Sequence, residues 1–508
     1  MARGNTACRA ALAAAAMVLL AHPSMAAAPA APADPRVDLL AGVDWRVDDS
    51  DPTGTTFTAE FEAPDPSAYA ALELVPNPRG RPPCTINDQT VEPPLKGLDF
   101  GTVPAINAQV LQAGRNTIIV RLAAKPKDPS TVQFALRAMA HGDLAIQSGP
   151  TFGAVFADRF TVACRTNMPA TVTVCLADDP SPLATSTGVF HQLKVPNGGV
   201  DGRRYVLRAD NGKHQVQREL TPTMSCLTEL KRFVALGDSR KYPDEWRRVA
   251  EAAASHRPQL LLCTGDMIGR GTFEGGWDPG FFTPGKALLD ITPMYAVLGN
   301  HDAFSPMCDV MFPTPADDGK VRNWSQRVGQ VLLVGLNGAD NFVRGPAAVW
   351  LDKALAEGDS AAFIFVTSHY PPLSSSMHGK LDDEGDSAER ETRRAQEVIL
   401  PLLQKHGATA FICGHDHNYE RSEPPGGVTV VTSGGAGAGL RRKSPDAERQ
   451  NPHSAVFDSS WHYCLFEIEG TTCTMKALTP DGRVIDTRTW EARQAAEKDP
   501  LQKQGQTQ

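Results

Sequence analysis

One stretch of this chain decides its fold: Ala410-Phe411-Ile412-Cys413-Gly414-His415-Asp416-His417-Asn418-Tyr419-Glu420-Arg421. Its apolar start predicts a buried strand, and Gly414 then lets the backbone turn sharply without a Cβ clash. His415 and His417 follow the turn, separated by one residue. Side chains at strand ends of an α/β sheet lie on the edge where such sheets bind ligands. The two imidazoles therefore suit a metal site, although a surface loop could also contain one such motif.

Four other apolar runs of strand length also end at residues that can bind a metal. These runs are 232–236 before Asp238, 259–263 before Asp266, 294–298 before Asn300, His301 and Asp302, and 363–366 before His369. Carboxylate, amide and imidazole groups on one rim form the mixed oxygen and nitrogen set that suits two adjacent divalent metals. The ordered strand ends therefore predict a dinuclear metal centre.

The order of these motifs resembles the calcineurin-like metallophosphoesterase superfamily, whose pattern is GD, GD, GNH[DE], H and GHxH. Three segments, 369–372, 414–421 and 433–437, look like its purple acid phosphatase branch. The resemblance covers residues 228–490. It implies a four-layer α-β-β-α catalytic domain with two metal ions, which could be iron, zinc or manganese.

The same resemblance implies a role for each polar residue at the strand ends. Asp266 would bridge the two metals. The first metal would also be bound by Asp238 and His417, and the second by Asn300, His369 and His415. His301 would be the general acid, because an imidazolium can donate a proton near neutral pH. Asp302 would orient or charge that imidazole, or would simply cap a turn.

Two positions depart from the family pattern. Arg240 stands where the superfamily usually has the histidine of Asp-x-His, and Gly269 stands where purple acid phosphatases have a tyrosine. We therefore expect the first metal to bind weakly and no tyrosinate-to-iron colour. A guanidinium cannot coordinate a cation, but it can hold a phosphate through two hydrogen bonds. Arg240 is thus a candidate substrate-binding residue; alternatively, it turns outward to a surface carboxylate.

Two loops border the predicted site. Residues 371–391 carry His378 and several acids, and residues 434–457 carry Arg441, Arg442 and Lys443 after a run of glycines. The basic residues could steer a phosphate into the site, or they could form an ordinary solvated surface.

The chain of 508 residues carries a formal net charge of −8. This acidic balance argues against a general nucleic-acid or anionic-membrane binder. Residues 1–26 are typical of a secretory signal peptide: Arg3 and Arg9 precede an apolar run too short to span a membrane, and 24–26 form a cleavage site. We therefore expect export to the periplasm or the medium, where disulfides can form. The pairing of the cysteines after the leader stays open.

The pattern before the metal motifs is rich in β structure. Residues 36–148 predict a β-sandwich, and a Leu-x-x-Gly-x-Asn-Thr-Ile motif from Leu111 resembles galactose-binding-like domains, although a structural spacer is the alternative. Residues 149–222 resemble the fibronectin-III-like domain that precedes the catalytic domain of purple acid phosphatases, with strands at 160–164 and 170–175 and a linker at 221–227. After the phosphoesterase region at 228–490, residues 491–508 predict a disordered tail.

These observations predict multiple domains, with all-β sandwiches ahead of an α/β metallophosphoesterase domain. The resemblance implies an acid phosphatase-like enzyme that cleaves small phosphomonoesters, with a metal-bound hydroxide as nucleophile and His301 as acid. A phosphodiesterase with the same residues is one alternative, and a non-catalytic binding protein with a weakened metal site is another. We expect neither a nucleic acid nor a membrane as a partner, and the oligomeric state stays open.

Overall fold

The structure is a computed structural model that describes residues 36–77, 83–316, 323–337 and 345–493. The predicted signal peptide and residues 494–508 lie outside these ranges. The predicted disordered tail starts too early, because Glu491 still belongs to the last strand. The Arg493 guanidinium also donates to the carbonyl oxygen of His406 at 2.8 Å, so the chain is packed against the rest of the protein as far as Arg493.

The first nine strands form two antiparallel sheets that pack face to face. They are β1 (Val37–Asp38), β2 (Arg46–Asp48), β3 (Thr55–Ala63), β4 (Tyr69–Asn77), β5 (Cys84–Ile86), β6 (Gln89–Val91), β7 (Val103–Asn107), β8 (Gly114–Leu122) and β9 (Gln133–Ala140). The sheet orders are β1-β9-β4-β7 and β2-β3-β8-β5-β6. Phe57 and Ile118 of the second sheet share a core with Leu72 and Leu136 of the first. Alternating buried residues along β3 produce this packing, as the sequence pattern predicts.

The next sheet contains β10 (Ile146–Gly153), β11 (Arg159–Leu176), β12 (Ala184–Pro196), β13 (Tyr205–Asp210) and β14 (Gln215–Leu220). The prediction of two strands at 160–164 and 170–175 is wrong, because β11 is one strand of 18 residues. Its pairing with β12 shifts between Arg165 and Ala170, so the intervening residues form an irregularity within the strand rather than a turn. The predicted linker is also not an exposed connection, since Met224, Cys226 and Leu227 are buried.

From Arg232 onward, strands alternate with helices. The strands are β15 (Arg232–Leu236), β16 (Leu260–Cys263), β17 (Met294–Ala296), β18 (Trp324–Val328), β19 (Val331–Gly335), β20 (Phe363–Thr367), β21 (Ala410–Cys413), β22 (Tyr419–Ser422), β23 (Thr429–Ser433), β24 (Ser454–Asp458), β25 (Tyr463–Glu469), β26 (Thr472–Leu478) and β27 (Val484–Glu491). The helices are α1 (Pro243–Ser255), α2 (Thr283–Leu289), α3 (Pro306–Met311), α4 (Pro346–Ala356), α5 (Arg390–Arg394), α6 (Leu400–Lys405) and α7 (Ala447–Gln450). A π-helical turn joins α5 to α6.

These strands form a six-stranded sheet in the order β17-β16-β15-β25-β26-β27 and a seven-stranded sheet in the order β18-β19-β20-β21-β23-β22-β24. Phe233 of β15 and Phe365 of β20 belong to one core cluster and their rings lie 5.2 Å apart. On the opposite face of β15, Val234 belongs to a cluster with Trp246 of α1. On the opposite face of β20, Ile364 belongs to a cluster with residues of α4. The parallel strands β15, β16, β20 and β21 therefore bury both faces, which explains their continuous apolar sequences.

The nine cysteines among the described residues are all buried and unpaired. Burial raises the pKa of the Cys464 thiol to about 12, so this group packs as a small apolar side chain. Within the same described ranges, no helix is long and apolar enough to cross a membrane.

Candidate metal centre

The backbone is strained at three of the strand ends that supply predicted metal ligands. Asp238, Asp266 and His415 follow β15, β16 and β21 and have φ angles of 59°, 55° and 68°. Residues other than glycine rarely adopt this left-handed backbone region, and each one that does lowers the stability of the fold by roughly 1 kcal/mol or more. Glycines allow the close approach, because a Cβ on Gly299 would lie 2.2 Å from Asp266 Oδ1 and one on Gly414 would lie 2.5 Å from Asp238 Oδ2. Packing around the strand ends therefore holds the side chains in one cluster.

The donor atoms predicted for the second metal converge around His369, which is fully buried. Its Nε2 atom lies 3.2 Å from Asn300 Oδ1, 3.2 Å from His415 Nδ1 and 3.5 Å from Asp266 Oδ1. Ligands that are each ~2.1 Å from a tetrahedral metal are about 3.4 Å from one another. The carbonyl oxygen of Thr264 accepts from His369 Nδ1 at 2.8 Å, which leaves the Nε2 lone pair free for a metal. These residues fit a bound cation.

Two of the donors predicted for the first metal, Asp266 and His417, contact the side chain of Arg240 instead. Arg240 Nε donates to Asp266 Oδ2 at 3.1 Å, and its Nη2 atom lies 3.3 Å from His417 Nε2. His417 Nε2 is in turn 3.5 Å from Asp238 Oδ1. The guanidinium does not turn outward to a surface carboxylate, as one of the two predictions for Arg240 had it. With Arg240 in this position, Asp266 Oδ2 and His417 do not fit a second metal ion, whereas Asp238 lies in one cluster of donors with Asp266 and His369.

Burial places the acidic groups of the centre under strong electrostatic strain. Burial, followed by the neighbouring Asp266 charge, holds the pKa values of Asp238 and Asp302 well above their ordinary range. Asp266 is also desolvated, but His369, His301 and Arg240 outweigh this effect and lower its pKa. Buried carboxylates that repel one another bind a cation favourably, because the cation restores their charged form.

Two residues that the sequence did not identify as ligands contact the outer side of His415. Glu389 Oε1 lies 2.8 Å from His415 Nε2, and Glu389 Oε2 lies 3.2 Å from His378 Nδ1. Burial raises the pKa of Glu389, but the bonds from both imidazoles outweigh burial and lower it well below its usual range. A carboxylate that accepts from one ring nitrogen leaves the other, here His415 Nδ1, free for a metal. The acids on loop 371–391 were a visible signal, but only the fold selects Glu389 among them.

Three consecutive serines fix this loop against the His-x-His motif. Ser374 and Ser376 donate their hydroxyl hydrogens to Asp416, and the backbone N–H of Ser375 donates to Glu420 Oε2 at 2.8 Å. All five residues are buried. The two acids of the motif therefore hold the loop that carries His378.

His301 lies at the edge of the centre, with 30% of its side chain exposed. Its Nδ1 atom is 2.7 Å from the carbonyl oxygen of Gly269, and its Nε2 atom is 3.9 Å from Asp266 Oδ2. Of the two roles predicted for Asp302, orienting the His301 ring needs correction, whereas the capping alternative does not. Asp302 is fully buried and accepts from the Gly299 N–H at 3.5 Å, so the Gly269 carbonyl, rather than Asp302, positions the His301 ring.

The loop of residues 434–457, which carries the basic residues, contacts His417 mainly through its backbone. The carbonyl oxygen of Gly439 accepts from His417 Nδ1 at 2.8 Å, and the N–H of Arg441 donates to the His417 carbonyl at 2.9 Å. Arg442 and Lys443 are exposed. This loop therefore sets the orientation of His417, while the two exposed cations stay in solvent.

Comparison with known proteins agrees with the resemblance that the motifs indicate. The sequence model described as calcineurin-like phosphoesterase matches residues 231–419. Tartrate-resistant acid phosphatase type 5 of Rattus norvegicus is 36% identical over 180 residues, which is 29% of this chain and 50% of that protein. The human protein of the same name is 30% identical over 142 residues, which is 27% of this chain and 39% of that protein. The aligned stretches thus span half or less of these two relatives.

Solved structures share the fold at low sequence identity. Purple acid phosphatase PPD1 from yellow lupin (Lupinus luteus) seeds has a TM-score of 0.57 and 15% identity, covering 88% of this chain and 93% of that chain. PhoD has a TM-score of 0.50 and 10% identity, covering 69% of this chain and 92% of that chain. The fold is therefore that of a multidomain metallophosphoesterase. The resemblance of this chain to the calcineurin-like metallophosphoesterases, in their purple acid phosphatase-like branch, is confirmed.

Proposed function

We propose that this chain is an exported, metal-dependent phosphoric ester hydrolase that acts on small phosphomonoesters. The arrangement of donor atoms around His369 Nε2 is the main support, because three donors lie 3.2–3.5 Å from it at one rim. A cation bound there would polarise a phosphoryl oxygen and lower the pKa of a water molecule. Asp266, Asn300, His369 and His415 would hold it.

The residues around this position would bind the phosphate and activate the leaving group. The guanidinium of Arg240 points into the centre with 18% of the side chain exposed, so it would donate to phosphate oxygens. His301 would protonate the leaving oxygen through Nε2. The Gly269 carbonyl can accept from Nδ1–H in both the neutral and the charged imidazole, so the ring keeps its orientation when it gives up the proton.

The domain organisation and export follow from the sequence and belong to the same proposal. Residues 36–148 and 149–222 would be β-domains ahead of an α-β-β-α catalytic domain at 228–490, in agreement with the order of the sheets. Residues 1–26 would direct export and be removed. A small phosphate ester would be the substrate.

Metal analysis combined with two substrates tests this proposal. We expect the purified protein to contain a metal and to hydrolyse an aryl phosphate, with loss of activity on chelation and recovery on readdition. Faster turnover of a bis-aryl phosphate would identify a phosphodiesterase. Absence of turnover on both substrates in the metal-loaded protein would contradict an enzymatic function and favour the binding protein.

A further inference from the structure

We propose that the guanidinium of Arg240 replaces the first metal ion, so that the catalytic centre contains one metal and one fixed organic cation. This inference rests on the proposed phosphoesterase function and specifies how the phosphate is neutralised. Such a centre differs from a dinuclear centre with one weakly bound metal, because a side chain of the protein itself occupies the position of the first metal.

The contacts of Arg240 carry the inference. The side chain lies between two groups that the family pattern assigns to the first metal, at 3.1 Å from Asp266 Oδ2 and 3.3 Å from His417 Nε2. The Gly439 carbonyl accepts from His417 Nδ1, so the Nε2 lone pair of a neutral imidazole faces the guanidinium. Asp266 and His417 thus direct acceptor atoms toward one position, as they would toward a metal ion, but the Arg240 guanidinium occupies this position.

The balance of charge favours one metal. Asp266 lies between the two halves of the centre, with Oδ1 facing His369 and Oδ2 facing Arg240. A divalent metal beside the guanidinium already provides three positive charges within a mostly buried site. A second divalent ion at the Arg240 position would meet strong repulsion from the positive charge of the guanidinium. Asp266, which would bridge two metals in the family pattern, would therefore hold one metal and accept from Arg240.

The guanidinium can still bind substrate in this position. Arginine has five N–H donors, and two of them are used by Asp266 and His417. Among the described residues, the other three N–H groups have no acceptor. They are free to donate to phosphoryl oxygens, where charge accumulates as the phosphorus–oxygen bond breaks.

Metal content measured by mass spectrometry after dialysis against zinc or manganese tests the inference. We expect about one equivalent in the wild-type protein, unchanged in His417→Ala and lost in His369→Ala. Arg240→His vacates the guanidinium position and adds an imidazole, so we expect it to gain a second equivalent that disappears in the Arg240→His/His417→Ala double variant. Arg441→Ala removes a neighbouring positive charge without vacating the position and should keep one equivalent.

Kinetics give a second readout. Arg240→Ala should keep its metal and lower kcat/KM for an aryl phosphate by roughly 10²–10³-fold, since a preorganised charged donor is lost. Arg240→Lys should recover only part of this loss, because an ammonium cannot contact Asp266, His417 and phosphate in one plane. Circular dichroism of each variant would verify that it is folded.

The outcomes separate this inference from the proposed function. Two equivalents in the wild-type protein, with one lost in His417→Ala, would overturn the assignment of Arg240 while leaving a metallophosphoesterase. A wild-type protein that binds no metal and has no hydrolytic activity would overturn the proposed function as well. Wild-type kcat/KM in Arg240→Ala would also contradict the substitution of a metal by arginine.

Discussion

The centre has a His369 half and a His417 half, and both include Asp266. The two halves differ in the cation that would neutralise the Asp266 carboxylate. On the His369 side, imidazole, amide and carboxylate donors lie 3.2–3.5 Å from His369 Nε2, and no basic side chain lies between them in the described structure. On the His417 side, similar donors surround Arg240. One substitution at a ligand position can therefore change the kind of cation a rim holds while the strands that build the rim stay the same.

The largest effect should come from removing a donor on the His369 side. His369→Ala and His415→Ala should lose metal and fall to background activity, because both donors face the same position. Metal analysis and initial rates measure both effects. His417→Ala is the matched comparison from the other half, and it should retain the metal. Equal metal loss in all three variants would show that the two halves do not differ.

Loss of the general acid should have the next largest effect. His301→Ala should keep its metal but lose roughly 10²–10⁴ in kcat for an alkyl phosphate. An aryl phosphate with a good leaving group needs little protonation, so its loss should be much smaller. Parallel rates on the two substrates measure the difference. Losses of the same size on both would exclude proton transfer as the function of this imidazole.

Removing the negative charge of Glu389, which contacts His415, tests whether metal binding in the His369 half depends on this contact. Glu389→Gln should weaken metal binding by roughly 10–100-fold, because the ring loses a charged acceptor that makes its ligating nitrogen more basic. Titration of the metal-free protein measures the affinity. Glu391→Gln is the control on the same loop, since Glu391 pairs with Arg390 instead. An unchanged affinity in Glu389→Gln would mean that the negative charge of Glu389 does not contribute to metal binding.

The smallest effect concerns a buried imidazole outside both halves. Burial lowers the pKa of His191, which contacts Thr166 and Ser186, to about 4. The unfolded chain has the ordinary value near ~6.5 and takes up a proton first as the pH falls, so stability is lost between about pH 6.5 and 4. The expected loss from pH 7.5 to 5 is about 2 kcal/mol. Urea unfolding of the wild-type and His191→Gln proteins should show a flatter pH dependence in the variant, with unchanged metal content.

Strand ends are predictable here because they combine two local signals. An apolar run predicts a buried strand, and a polar residue just after it lies at the ligand-binding edge of the sheet. Both signals are present for Asp238, Asp266, His369 and His415, and the structure brings these four residues together. The same local reasoning fails at 166–169, because a proline and an asparagine signal a turn, whereas these residues form an irregularity within one continuous strand.

The α/β class, the order of the motifs and the residues at the strand ends can be predicted from the chain alone, because they depend on periodicity and spacing along it. Which side chains face one another depends on the folded arrangement of distant segments. The inward direction of Arg240 depends on acceptors 26 and 177 residues away in sequence, and the contact between Glu389 and His415 depends on a loop held by buried serines. Such contacts arise from the packing of distant segments, and no local pattern specifies them.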